Sequence, residues 1–411
     1  MKFRSLLLAT AATLCITLPA LAAEPHTSNR YREERFVASQ AKYHPKTVQD
    51  KFINAWGIAI RPAGAGGHFW VTAQDTSYEY VGDVRGASDP RLRALHQDKL
   101  QYVKLPVGGD ENFATGVVFV DSKDQFILTQ QVEDAEPITA PAKFLFASDG
   151  GVISAWTERK KEDGNFDRPL EAIPVIDASK DGAQFFGLAM DAAYTRLYAA
   201  DFGEHPGIRV YDGQFKPLPL AFAMPFDENK NGAFDPGEYA PFNVQALPTP
   251  TGEHHIFVAY ALTQTCPPEE ITKGSCKKGE FFVGEEDTAE PGHGRLAEFT
   301  EDGQLVTVWK DAGHLSAPWG MAFAPADFGA LSGALLVGNF GDGSIAAFDP
   351  KTRAFLDVLR DTRGKPVKIE KIWGILFGNG ESLGDKNALY FAAGPDDEKD
   401  GLFGSLRPAS K

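Results

Sequence analysis

Three observations predict an all-β protein in the form of a six-bladed β-propeller closed by an N-terminal strand. A short motif recurs six times, a run of β-forming residues follows each copy, and helix-period patterns are nearly absent. The motif is an aromatic or small residue, then glycine, then an apolar strand. It reads Trp56-Gly57-Ile58, Thr115-Gly116-Val117, Phe186-Gly187-Leu188, Trp319-Gly320-Met321 and Trp373-Gly374-Ile375, with a weaker copy at Phe242-Asn243-Val244. Each glycine permits close backbone approach at the start of a strand.

Second strands are expected at Phe69 to Ala73, Phe126 to Gln130, Leu197 to Ala200, Ile256 to Tyr260, Leu335 to Gly338 and Leu389 to Ala392. Third strands follow, as at Ile208 to Tyr211, Arg295 to Phe299 and Ser344 to Phe348, and fourth strands at Leu305 to Trp309 and Phe355 to Leu359. Four short strands per unit is the propeller pattern. The last unit runs out of chain after Leu402 to Leu406, so its outer strand must come from elsewhere, and Arg35 to Gln40 is the donor expected. Such pairing closes the ring and removes the open edges of an unclosed array. The chain thus divides into a signal (1–22), an arm carrying the closing strand (23–50) and the propeller (51–407).

The repeat starts are spaced more widely than a minimal blade of ~40 to 45 residues, so the excess sits in loops. With strands labelled A to D from the inside out, the loop entering A and the loop leaving B share a face. Thr157 to Gln184 and Ala221 to Pro241 are read as D-to-A connections, and Thr263 to Gly294 as a B-to-C connection, which makes that face the place to seek a site. Arg85 to Asp98 is assigned to neither face.

Lys2 and Arg4, the apolar run from Leu6 to Pro19 and the Ala20-Leu21-Ala22 cleavage site read as a secretory signal, too short for a spanning helix. The expected location is therefore the periplasm or the extracellular space, without a membrane anchor. Removing the signal takes the formal charge from -15 to -17, an acidic surface that argues against nucleic acid and suits cations. Cys266 and Cys276 then remain, and a loop-closing disulfide is expected in an oxidising compartment. Metal ligation is the alternative, but no third cysteine or histidine lies between them.

The run from Asp227 to Glu238, DENKNGAFDPGE, fits the twelve-residue loop D-x-[DN]-x-[DN]-G-x5-E. Asp227, Asn229 and Asn231 would present side-chain oxygens, Ala233 its carbonyl, Asp235 a direct or water-mediated contact, and Glu238 a bidentate carboxylate, with Gly232 at the sharp turn. Hard oxygen ligands at this spacing point to Ca²⁺ rather than Zn²⁺. Pro225 before the loop and Tyr239-Ala240-Pro241 after it rule against flanking helices, so a structural role is expected rather than a switch. Two asparagines in place of aspartates point to modest affinity, suited to calcium outside the cytoplasm.

The stretches FINAWGIA from Phe52, YAPFNVQ from Tyr239, LSAPWGMAFAPADFG from Leu315, ALLVGNFGDGSIAAFDP from Ala334, WGILFGNG from Trp373 and LYFAAGPDDEKDGLFGSL from Leu389 give the chain a likeness to known sequences. It resembles a bacterial family of exported, propeller-like proteins with no assigned reaction, some of whose members carry a PEP-CTERM sorting signal. The likeness covers most of the chain from Lys51 onward. Lys411 follows no apolar tail, so sorting of that kind is not implied. The resemblance implies fold and export.

Polar residues expected where A strands begin and B strands end are Asn54, Asn112, Asp201, Asn243, Asn339 and Asp342. Converging on the axis, they could hold a second Ca²⁺, as in the lactone- and phosphoester-cleaving propellers that this architecture resembles, where the ion acts as a Lewis acid. Otherwise they cap turns and strand ends. His254 and His255 should point to opposite faces, and no G-x-S-x-G or H-E-x-x-H is present. Trp56, Trp319 and Trp373 are expected to pack between blades. The function expected is a calcium-stabilised exported scaffold that binds an unidentified small molecule or protein, and the alternative is a metal-dependent, lactonase- or esterase-like hydrolase.

Overall fold

A computed structural model describes residues 28–133, 135–286 and 292–409, so the expected signal lies outside the described residues. Six antiparallel sheets stand around one axis. From the inside out, blade 1 is Ala55–Ala59, Phe69–Ala73, Thr76–Tyr80 and Tyr102–Lys104. Blade 2 is Ala114–Phe119, Phe144–Ser148, Val152–Trp156 and Ile173–Asp177, and blade 3 is Phe185–Met190, Arg196–Asp201, Gly207–Asp212 and Pro217–Leu218. Blade 4 is Tyr239–Pro248, His254–Thr265, Gly294–Phe299 and Leu305–Val308, and blade 5 is Pro318–Phe323, Leu335–Asn339, Ile345–Phe348 and Phe355–Val358. Blade 6 is Ile372–Phe377, Leu389–Ala393 and Leu402–Pro408, completed by the N-terminal strand Tyr31–Ala38 and a short parallel strand, Thr47–Val48.

The closing strand pairs antiparallel with the last one, from Tyr31 opposite Pro408 to Ala38 opposite Leu402. It begins earlier than Arg35 because Arg32, Glu33 and Glu34, which look unlike a strand, lie near the sheet edge. There Glu34 meets Lys46 at 2.5 Å, Arg85 at 2.5 Å and Arg407 at 3.3 Å.

Blade 2 corrects two expectations. Its second strand is Phe144–Ser148, whereas Ile127–Val132 pairs with Ala135–Pro141 as a hairpin inserted between A and B. That hairpin has the same β-forming composition as a blade strand, which is why Phe126 to Gln130 reads as one. The stretch from Thr157 is also not a D-to-A connection: it joins C to D through a small hairpin, Arg159–Lys160 with Phe166–Asp167, and then contains strand D. Arg85 to Asp98 likewise joins C to D in blade 1. Elaboration is therefore shared between the two faces, with the 219–238 loop and the 266–286 excursion on the face where A strands begin.

The recurring glycines form a belt around the axis. A Cβ on Gly57 would lie 2.5 Å from the Thr115 carbonyl of blade 2, and one on Gly116 2.9 Å from Gly187 Cα of blade 3. One on Gly187 would collide with the Asn243 amide, one on Gly320 with the Trp373 carbonyl, and one on Gly374 would lie 2.7 Å from the Trp56 carbonyl. Asn243 takes the glycine's place in blade 4 and spans the gap with its side chain: Nδ2 donates to the Trp319 carbonyl at 2.6 Å, and Oδ1 accepts from Val244 N–H at 2.8 Å. Six inner strands thus touch at near-backbone distance.

Outside the belt, blades bury both faces against their neighbours. The second strands are accordingly largely apolar runs such as FWVTA, FLFAS and LYFAA rather than alternating ones. Between blades 1 and 2, Trp70 stacks on Phe144 (4.3 Å between centroids) and tilts against Trp156 (4.7 Å), each such side chain contributing about 1.5–3 kcal/mol on burial. Outer strands face water, as the largely exposed Leu305–Val308 does. Gly320→Ala should cost about 1–3 kcal/mol by forcing blades 5 and 6 apart, read as a lower midpoint of thermal unfolding monitored by circular dichroism.

Candidate functional site

The belt leaves a cavity of about 400 Å³ above it, on the face where A strands begin. Its floor is aromatic. In blades 1, 5 and 6 a bulge separates the first A–B pair from the next, and it turns the residue before the axial glycine inward. Trp56, Trp319 and Trp373 therefore do not sit between blades as expected; they pack on one another across the axis. Trp56 and Trp373 stack at 3.7 Å between centroids, Phe340 lies 4.0 Å from Trp373, and Phe186 meets Trp56 edge-on at 5.2 Å. Trp56, Phe113, Phe186, Phe340 and Trp373 line the cavity.

The walls are polar and mostly acidic. Asn54 bridges floor and wall: its Oδ1 accepts from Trp373 Nε1 at 2.9 Å, and its Nδ2 donates to Glu398 Oε1 at 2.8 Å. Asp149, just beyond strand B of blade 2, accepts from Phe113 N–H at 2.7 Å. Asp397 and Glu398 come from the turn after strand B of blade 6, where Asp396, Asp397 and Glu398 are all left-handed (φ 61°, 55° and 64°). Each non-glycine residue there costs about 1–2 kcal/mol. The turn is pinned from outside by Lys42, at 3.0 Å from Asp396 and 2.7 Å from Asp400, with Ser39 and Tyr43 also donating to Asp400. Among the described residues Lys371 is the one cation lining the cavity, 4.1 Å above the Phe340 ring and 3.9 Å from Asp397.

The roof belongs to blade 4. Strand B runs on to Thr265 and returns as Phe281–Glu286, with Thr263 opposite Glu286 and Thr265 opposite Phe281. Its tip carries the short helix Pro268–Lys273, and the Cys266–Cys276 disulfide ties the tip together, as the sequence led us to expect. Gly284, at φ 81°, presses so closely on Gln184 of blade 3 that a Cβ would strike its side chain. Val283 to Glu286 face the cavity.

Burial together with mutual repulsion raises Asp149, Glu285, Glu286 and Glu398. Asp149 is pushed up to about 7, by burial first and by Glu398. Glu286 is pushed up to about 8, by burial and then by Glu398 and Glu285, against the opposing pull of Lys371. Glu398 and Glu285 are raised as well, again mainly by burial.

Of the residues expected at the axis, only Asn54 reaches this cavity. Asn243 lies beneath it in the belt. Asp201 is wholly buried, bonding Gln184 N–H, Gly203 N–H and Arg209 as a strand-end clamp. Asn339 clamps Ser316, His314 and Ser344 in the same way, Asp342 binds Ser344 and Lys368, and Asn112 packs against Gly109 and Gly150. Of the acids that do line the cavity, Asp149, Asp397 and Glu398 stand in turns after B strands, SDGG and PDDEKD, which carry no signal separating them from ordinary polar turns, and Glu285 and Glu286 end the inserted strand Phe281–Glu286.

The Asp227 to Glu238 loop curls inward on the same face, with Gly232 at φ 79°. Asp227 accepts from the N–H groups of Asn231 (3.2 Å) and Gly232 (2.8 Å), Asn231 Oδ1 from Ala233 N–H (2.8 Å), and Glu238 Oε2 from Asp235 N–H (3.3 Å). Both amides, Asn229 and Asn231, donate to Asp235 at 2.6 Å. Among the described residues no three His, Cys, Asp or Glu side chains gather as metal ligands; the donors here include two amides and a carbonyl. Oxygen donors from positions 1, 3, 5, 9 and 12 lie along this one curl, a set that fits Ca²⁺. Thr263 joins this loop to the roof, accepting from Gly237 N–H (2.9 Å) and donating to the Glu238 carbonyl (3.0 Å).

No family model matches the sequence. Uncharacterized protein R648 of Acanthamoeba polyphaga mimivirus is 26% identical over 360 residues, 86% of this chain and 74% of that protein. Uncharacterized protein L690 of the same virus is 31% identical over 238 residues, 58% of this chain, and the match spans 56% of L690. Among solved structures, a Bacteroides thetaiotaomicron protein of unknown function superposes with a TM-score of 0.45 at 10% identity (87% of this chain, 70% of that one). A glucose dehydrogenase gives 0.44 at 13% identity (88% and 98%), and a Xanthomonas campestris gluconolactonase 0.33 at 17% identity (72% and 89%).

Because Asp149 and Glu286 titrate beside Trp56 and Trp373, indole fluorescence should change with midpoints near pH 7 and pH 8. Asp149→Asn should remove the lower midpoint and Glu286→Gln the upper in a fluorescence titration.

Proposed function

We propose that the protein is an exported, calcium-stabilised propeller that binds a small ligand in its axial cavity. The observation that carries this reading is the cavity itself: an aromatic floor, acidic walls and a disulfide-tied roof enclose about 400 Å³ at the one point where all six blades meet. The disulfide fits an oxidising compartment. Among the described residues no helix is long and apolar enough to cross a membrane.

Calcium enters this reading as a brace. Asp227, Asn229, Asn231, Asp235 and Glu238 would hold it by side-chain oxygens and Ala233 by its carbonyl; the bound ion would neutralise the carboxylates and take the amides by their oxygens. The loop's tie to Thr263 then makes the brace a support for the roof. Calorimetric titration of the mature protein should show calcium binding that weakens at least ~10-fold in Glu238→Gln, and unfolding midpoints that rise with calcium in the wild type. An absence of binding heat, or identical affinity in the variant, would overturn the assignment.

A metal-dependent hydrolase in the same cavity is the second reading. It is favoured by Asp149 and Glu286, carboxyls raised into the range where a side chain can give and take a proton. It requires turnover of lactones or aryl esters in the presence of calcium, lost in Glu286→Gln.

A further inference from the structure

The cavity's carboxyl groups are spread around the axis rather than gathered. Asp149 comes from blade 2, Glu285 and Glu286 from the roof of blade 4, and Asp397 and Glu398 from blade 6, so alternate blades each supply acid. Between them lie the rings of Trp56, Trp373, Phe340 and Phe186. A calcium ion takes six to eight oxygens at about 2.3–2.6 Å, and ring carbons offer none. An organic ammonium suits this lining better. Its N–H groups can reach acids on several sides, while its charge and the carbons beside it rest on ring faces.

Lys371 already makes contacts of this kind, with its ammonium over the Phe340 ring and near Asp397. Among the described residues lining the cavity, one ammonium faces five carboxyls. One acid there is short of partners: among the described residues the Glu286 carboxyl has a hydrogen bond only to its own backbone N–H. The left-handed turn that presents Asp397 and Glu398 is held against its conformational preference by Lys42 from outside, so neither acid faces the cavity merely by default.

We propose that the axial cavity takes a small protonated alkylamine, its ammonium held among Asp149, Glu286 and Glu398 and its carbon chain lying on Trp56 and Trp373. This rests on the small-ligand reading above and narrows it to a chemical class. A bound cation draws the neighbouring carboxyls into their ionised form, so binding releases protons and strengthens as pH rises. The groups that set this titration are Glu398, Glu285 and Lys371 facing Glu286, Glu398 facing Asp149, and Lys371, Glu285 and Asp397 facing Glu398. Lys371 is a competing cation, and Lys371→Gln should tighten amine binding.

The test is calorimetric titration of the mature protein, saturated with calcium, with putrescine, spermidine, tetramethylammonium, glucose and gluconolactone in buffers of different ionisation enthalpy. Putrescine or spermidine should bind with proton release, at least ~10-fold more weakly at about pH 6 than at about pH 8. Glu286→Gln and Glu398→Gln should each weaken binding at least ~10-fold while near-ultraviolet circular dichroism and unfolding midpoint are kept. Amine binding unchanged by both variants, or tetramethylammonium binding as tightly despite having no N–H, overturns the inference. Glucose or gluconolactone binding where no amine binds also overturns it but leaves the small-ligand reading standing. If none of the five binds and indole fluorescence does not respond, both fall.

Discussion

The glycine belt is the contact on which the rest of this molecule depends. Six strands can converge on one axis only if their backbones nearly touch, and a single Cβ at Gly57, Gly320 or Gly374 would meet a neighbouring carbonyl first. With that contact made, the blades splay outward and fill the gaps with rings such as Trp70, Phe144 and Trp156. The bulge beside each glycine of blades 1, 5 and 6 turns the preceding tryptophan into the axis. Fold closure and the floor of the cavity therefore come from the same few residues.

The cavity sets opposing costs against each other. Asp149, Glu286 and Glu398 are desolvated and lie near other carboxyls, and part of the wall is left-handed backbone. Rigid surroundings keep both in place: Lys42, Ser39 and Tyr43 behind the blade 6 turn, Asn54 between Glu398 and Trp373, and Gln184 under the roof. Asn54 is itself left-handed (φ 45°), as are Lys371 (φ 52°) and Ala317 (φ 42°), each two residues before an axial tryptophan. Strain of this sort gathers where a scaffold must aim side chains at a common point.

Much of this could be read from the residues alone. The recurring glycine pointed to six blades because the belt demands it at a fixed place in five of them, and the weak copy at Asn243 was legible from its position between the third and fourth glycine copies. Blade 2 misled because an inserted hairpin and a blade strand share one composition. The axial acids stayed hidden because an aspartate in SDGG looks alike whether it caps a turn or faces a cavity. Asp201 and Asn339 show the converse, residues at the right strand ends whose hydrogen bonds are spent on holding the strand.

Ring closure also orders events in time. The strand Tyr31–Ala38 precedes every blade in the sequence yet pairs antiparallel with Leu402–Pro408 of the sixth, and the Ser39 to Tyr43 segment that follows it pins the turn carrying Asp397 and Glu398. A chain in which Leu402–Pro408 has not yet been made thus has five potential blades and no finished cavity. The finished cavity reports that the strands Tyr31–Ala38 and Leu402–Pro408 have met.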